Sequence, residues 1–162
     1  MALTAVEGAV RALAAALRAR GWRLATAESC TGGLVAAACT SLAGSSDWFE
    51  RGFVTYSNEA KSELLGVAPA LLAAHGAVSE AVAQAMARGA LAHSRAQLAL
   101  AVTGIAGPAG AVPGKPVGTV WLAWATSAGV RAERLQLRGD RAAVREAALA
   151  AALARLLEAA RA

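Results

Sequence analysis

The sequence predicts a three-layer α/β/α sandwich on a mixed β-sheet that ends in an antiparallel hairpin. Three observations lead there. Apolar runs of strand length alternate with segments of helical period, the pattern that layers helices on both faces of a sheet. One run, residues 97–103 (QLALAVT), is almost wholly apolar, as befits a central strand covered on both faces. The last two strand-like segments, residues 117–125 and 130–137, flank the turn Thr126-Ser-Ala-Gly129 and should pair as a hairpin.

The elements follow in order. Thr4-Ala-Val-Glu7 has the spacing of a capping box, which predicts a helix from Ala5 to Arg20, closed by Gly21. Residues 22–27 form a short strand. Residues 28–33 (ESCTGG) form a polar turn ending in glycines, and residues 34–40 a helix. A loop at 43–47 precedes a strand at 52–57. Asn58 is the expected N-cap of a helix carrying Lys61 and Leu65, broken by Gly66 and Pro69. A short helix at 69–74 and a longer one capped by Ser79 lead to the central strand. Residues 104–116 (GIAGPAGAVPGKP) are too rich in glycine and proline for regular structure. They are also too long for a connection without a purpose. After the hairpin, Asp140 caps a final helix to Arg161. Its residues Val144, Leu149, Leu153, Leu156 and Leu157 form one apolar stripe.

Composition narrows the classes. At 162 residues the chain suits one domain, residues 1–162, that buries about two-thirds of its unfolded surface. Only 17% of residues are charged, which excludes disorder. The mean hydropathy is +0.46, but 47 residues are alanine. No stretch of about twenty residues is both uncharged and dominated by large side chains, so a membrane span is not expected. Glu7, Arg11 and Arg18 interrupt the N-terminal segment where a secretory signal would be apolar, which points to the cytoplasm. The net charge of +5 comes from scattered arginines without a basic block, and aromatics make up 4%. That is too sparse for a nucleic-acid stacking platform. Cys30 and Cys39 do not form a disulfide framework and read as free thiols. No Cys, His or Asp cluster has metal spacing.

Three polar segments fall at strand ends, where open α/β sheets bind ligands. In the segment 27–33, small residues before a helix let backbone N–H groups approach an anion, and Ser29 and Thr31 add hydroxyls. The second segment joins Ser45 and Ser46 to Tyr56 and Lys61. Arginine appears fourteen times here and lysine twice, at Lys61 and Lys115. A lysine near a helix N-terminus is opposed by the dipole; with burial, its pKa falls, and the neutral amine can take a proton from a serine. The third segment joins Thr103 and its glycine-rich loop to Lys115 and Thr119 as a wall of backbone amides. It has neither the phosphate-loop nor the dinucleotide fingerprint. Each segment also has a plain structural reading, as a capped turn, a solvated lysine or a connecting loop. Cys30 at a helix N-terminus is a rival nucleophile. His75 and His93 lie outside these segments and suggest no triad.

Together these strings resemble one family. TAESCTGG (residues 26–33), GSSDWFERGFVTYSNEAKSELLGV (44–67), HGAVSE (75–80), TGIAGP (103–108) and KPVGTVW (115–121) are similar, in this order, to the CinA C-terminal family of nicotinamide-nucleotide amidases. The resemblance spans nearly the whole chain. It implies an α/β/α sandwich, usually a homo-oligomer and here expected to be a dimer. It also implies hydrolysis of the carboxamide of nicotinamide mononucleotide to nicotinate mononucleotide and ammonia, with no metal or cofactor. By position it makes Ser46 the nucleophile, Lys61 the base and Tyr56 an assisting group, with Ser29 the rival to Ser46. Ser29, Thr31, Gly32 and Gly33 match one wall of the substrate pocket, and Thr103, Gly104 and Gly107 the other. Arg141, at the start of the last helix, is the candidate for the substrate phosphate. The loop AGAVPGK departs from the family's commoner pattern, which has more glycine and acid. The competing reading is a non-catalytic nucleotide-binding or regulatory module linked to competence or DNA damage.

Overall fold

A computed structural model describes residues 3–162. Its elements are α1 (Glu7–Arg20), β1 (Leu24–Glu28), α2 (Leu34–Thr40), β2 (Phe49–Val54), α3 (Asn58–Leu65), α4 (Pro69–His75), α5 (Glu80–Ala92), β3 (Leu98–Gly104), β4 (Thr119–Thr126), β5 (Gly129–Gln136) and α6 (Arg141–Arg161). Single 3-10 turns occupy Leu3–Val6 and Ser45–Asp47.

The five strands form one open sheet in the order β2-β1-β3-β4-β5. Strand β1 runs parallel to both β2 and β3, while β4 and β5 complete the sheet antiparallel, as the hairpin signal predicts. Alternating side chains serve two cores. Leu24, Leu98, Leu100 and Val102 face α1, α2 and α6 through Leu13, Leu17, Val35, Leu149 and Leu153. The opposite face of β1 and β3 is small: Ala25, Ala27, Ala99 and Ala101 meet Val82, Ala83, Met86 and Ala87 of α5. Alanine on both sides lets that helix lie close to the sheet.

Helix signals held in part. Gly21, at φ 65°, terminates α1 with its N–H on the Arg18 and Leu17 carbonyls, while Ser79 and Asp140 cap α5 and α6 through their side chains. The Thr4–Glu7 capping box does not form. Thr4 lies inside the 3-10 turn, the helix starts at Glu7, and no side chain caps it. Ser57, not Asn58, caps α3, its hydroxyl accepting from the Ala60 N–H. The second strand spans Phe49–Val54 instead of 52–57, because its pairing with β1 begins at Phe49 opposite Leu24.

Candidate active site

Open α/β sheets bind ligands at the carboxyl ends of parallel strands where neighbouring connections diverge. Strand β1, flanked by β2 and β3, is that point here. Its register sets Glu28 opposite Val102 on β3 and Val54 on β2. Ser29 follows directly, its N–H donating to the Val102 carbonyl at 2.9 Å. Thr103 is the next residue on β3, and Lys61 follows β2 after one turn of α3. Three segments distant in sequence therefore converge on one end of the sheet.

The convergence is chemical. Lys61 is buried, and its Nζ lies 3.1 Å from Ser29 Oγ. The amine also donates to the carbonyls of Thr55 at 2.9 Å, Tyr56 at 3.3 Å and Ser57 at 3.4 Å. Side chains on a helix lean towards its N-terminus, which is why a lysine in the first turn folds back onto the chain that enters α3. Burial lowers the amine's pKa from its ordinary 10.5; the nearby Cys30 pulls weakly the other way. A neutral amine shares its two protons among these three carbonyls and keeps one lone pair, and Ser29 is the neighbour able to donate to that pair.

Ser29 is held by its surroundings. The neighbouring Glu28, 1% exposed, turns its carboxylate to the other face of the sheet. There Oε1 accepts from Thr31 Oγ1 at 2.7 Å and the Val35 N–H at 2.9 Å, and Oε2 from the Ala36 N–H at 3.1 Å. A buried acid thus satisfies the open N-terminus of α2. On the same face, Arg145 of α6 donates to the carbonyls of Cys30 at 3.2 Å and Thr31 at 3.3 Å.

A cleft of about 260 Å³ opens over the pair, lined among others by Cys30, Asn58, Ala77, Val78, Thr103 and Ile105. Gly104 and Gly107 also line it, and both need to be glycine. A Cβ on Gly104 would lie 2.6 Å from Val120 Cγ2, and one on Gly107, at φ 82°, 2.5 Å from Val117 Cγ1. Arg141 spans the mouth, donating to the Gly107 carbonyl at 2.9 Å and to Tyr56 Oη at 3.1 Å. Ala106 and Arg141 also line a second cavity of about 530 Å³ against the start of α6.

Not every residue expected at the site is there. Ser46 sits in the 3-10 turn before β2, exposed, whereas Lys61 follows the other end of that strand. Six strand residues separate the two ends by about 20 Å. The structure does not bring Ser46 to Lys61; it brings Ser29. Thr31, Gly32 and Gly33 do not line the cleft, because the Thr31 hydroxyl is spent on Glu28 and the glycines bend the chain into α2 with positive φ. Tyr56 gives Lys61 its backbone carbonyl, while the residue is 61% exposed and its hydroxyl accepts from Arg141. Cys30 is at the cleft, but burial pushes its thiol up to about 11, away from thiolate chemistry. Lys115 lies outside the cleft and donates to the His75 carbonyl at 2.6 Å. Sequence reading did not find Glu28 or Arg145. An acid ending an apolar strand just before a glycine-led helix was the available signal for Glu28.

An open mixed α/β sheet with a buried serine–lysine pair at its switch point defines a hydrolase-like site. The comparisons give the family. The CinA C-terminal domain matches residues 6–160, and the chain belongs to that family. It is 58% identical over 139 residues to an Escherichia coli K12 protein named nicotinamide-nucleotide amidohydrolase PncC, covering 85% of this chain and 84% of that one. A CinA-like protein of Syntrophobacter fumaroxidans is 56% identical over 137 residues, but this chain spans only 32% of its length. Among solved structures, a CinA superfamily protein from Klebsiella pneumoniae superposes with a TM-score of 0.92 at 44% identity, covering 96% of this chain and 97% of that one. The competence/damage inducible protein CihA of Agrobacterium tumefaciens gives 0.91 at 46%, covering 94% of each.

Proposed function

We propose that the chain hydrolyses the carboxamide of nicotinamide mononucleotide to nicotinate mononucleotide and ammonia, with Ser29 as nucleophile and Lys61 as base. The observation that carries this is the 3.1 Å contact between the Ser29 hydroxyl and a buried amine whose burial lowers its pKa. The names of relatives such as the Escherichia coli amidohydrolase supply the substrate.

Neutral Lys61 takes the Ser29 proton as Oγ bonds to the carboxamide carbon. Cys30, Ala106 and Gly107 line the cleft, and their N–H groups have no partner among the described residues, so they are donors free to meet the oxyanion. The C–N bond then breaks, its nitrogen taking the proton from Lys61 and leaving as ammonia. Water attacks the resulting ester and gives a proton to Lys61, which returns it to Ser29 Oγ as the acyl bond breaks. The three carbonyls around Nζ hold the amine in both charge states. Tyr56 assists only through its carbonyl and by steadying Arg141. The substrate phosphate meets Arg141 and the N-terminal turn of α6, with the adjoining cavity giving the ribose phosphate room. The family resemblance also supports a homodimeric, cytoplasmic enzyme. The test is ammonia release from nicotinamide mononucleotide by the purified protein, which should be abolished in Ser29→Ala and in Lys61→Ala. A wild-type protein that binds the nucleotide and releases no ammonia sinks this reading and favours a regulatory one.

A further inference from the structure

Thr103 is 1% exposed, lines the cleft, and occupies the β3 position beside Ser29 on the face that also receives Lys61. Its Oγ1 lies 3.0 Å from the carbonyl of Ala77, in the link between α4 and α5. A carbonyl cannot donate, so the hydroxyl supplies its single proton to that bond. Only lone pairs remain to face the cleft. Thr103 therefore acts there as an acceptor, although a free threonine would serve as donor or acceptor alike.

We propose that this locked polarity makes Thr103 the specificity residue that admits a carboxamide and rejects a carboxylate, an inference that rests on the amidase reading above. A carboxamide presents an N–H₂ group, and one of its protons completes the Thr103 lone pair. A carboxylate presents only acceptors and would set an anionic oxygen against the lone pair of a threonine that is itself buried. No acid lines the cleft. Arg141 stands at its mouth, engaged with Gly107 and Tyr56. The same acceptor serves twice in the cycle. It holds the leaving nitrogen until ammonia departs, then accepts a proton of the water that replaces it, turning the water oxygen towards the acyl carbon. The product acid meets an acceptor where the substrate met a partner, which drives its release.

The test is binding to Ser29→Ala protein, which cannot turn over, by titration calorimetry with nicotinamide mononucleotide and nicotinate mononucleotide. The carboxamide should bind about tenfold or more tighter. Thr103→Val in that background should collapse the preference by about tenfold, weakening the amide and not the acid. Thr103→Ser, which keeps the hydroxyl, should preserve it. A Thr103→Val protein that weakens both ligands by the same factor, or neither, overturns the proposal. So does a Ser29→Ala protein that binds the acid as tightly as the amide, whether or not the valine variant folds. Loss of ammonia release in the wild type would overturn the amidase reading itself. Normal turnover with an unmoved preference overturns only the role of Thr103.

Discussion

Lys61 Nζ and Ser29 Oγ lie 3.1 Å apart although 32 residues separate them in sequence. The two parallel strands β1 and β2 bring their carboxyl ends side by side, and the chain leaving each contributes one partner. Ser46 precedes β2 and so lies at the opposite end of the sheet. Ser29→Ala should lower turnover of nicotinamide mononucleotide by at least about 10³-fold. Ser46→Ala should stay within about twofold of wild type. Steady-state ammonia release checks both, and a Ser46 variant as inactive as Ser29→Ala would refute the assignment.

The working form of Lys61 is the neutral amine, so the rate should rise with pH as the amine loses its proton. Burial lowers the pKa from 10.5, which moves that rise below the ordinary lysine range. In kcat/KM profiles the acidic limb should therefore appear beneath pH 10.5, with activity lost as pH falls. Lys61→Arg should be inactive at every pH in the range, because guanidinium stays protonated. An Arg variant with measurable kcat and an unchanged profile would contradict this.

Much of this arrangement was legible from the chain. The central strand, the hairpin and the placement of Lys61, Thr103 and Arg141 followed from apolar runs, turn residues and polar interruptions at strand ends. Which serine lies beside Lys61 did not, because the family resemblance points to Ser46 by position and the strand reads from the sequence as 52–57. That placed Ser46 in a loop free to fold back onto Lys61. A parallel strand beginning at Phe49 forbids it, and only pairing with β1 reveals the start, since residues 49–54 (FERGFV) lack clear alternation. The role of Thr103 was also out of reach, because it depends on a carbonyl 26 residues away.

Glu28 ties the nucleophile turn to α2 through three hydrogen bonds from Thr31, Val35 and Ala36. Glu28→Ala would leave one buried and one half-buried N–H group and a buried hydroxyl without partners. The expected loss is about 2–4 kcal/mol of stability. Since Ser29 is the next residue, kcat should fall with it. Urea unfolding and kinetics on the fraction that remains folded check both. A fully stable variant would show that water replaces the carboxylate.

The two buried thiols make stability fall in alkali. Burial raises Cys30 to about 11 and Cys39 to about 12, from 9.0. Their folded values lie above the unfolded one, so the unfolded chain releases protons first as pH passes 9.0. Their contribution is fully present below that pH and is lost as pH rises through about 11 to 12. Lys61, shifted down, works in the opposite sense below 10.5 and offsets part of the loss. Cys39→Ala should flatten the decline of Tm above pH 9, whatever its effect on Tm at neutral pH. A slope identical to wild type would refute the linkage.

Lys115 answers why a chain so rich in arginine keeps a second lysine. Its Nζ reaches the His75 carbonyl at 2.6 Å, and a Cβ added at Gly76 would stand 3.0 Å from it. A compact ammonium fits beside Gly76 where a planar guanidinium would crowd the chain. The bond joins the loop after Pro108, held near Lys115 by the Val112–Lys115 bridge, to the chain that leads into Ala77 and Val78. Both sides of that tie line the cleft, so it fixes the cleft's width without touching the reacting atoms. Lys115→Met should raise KM several-fold while kcat stays within about twofold. Lys115→Arg should not restore KM. A fall in kcat at constant KM would instead place Lys115 in the chemistry.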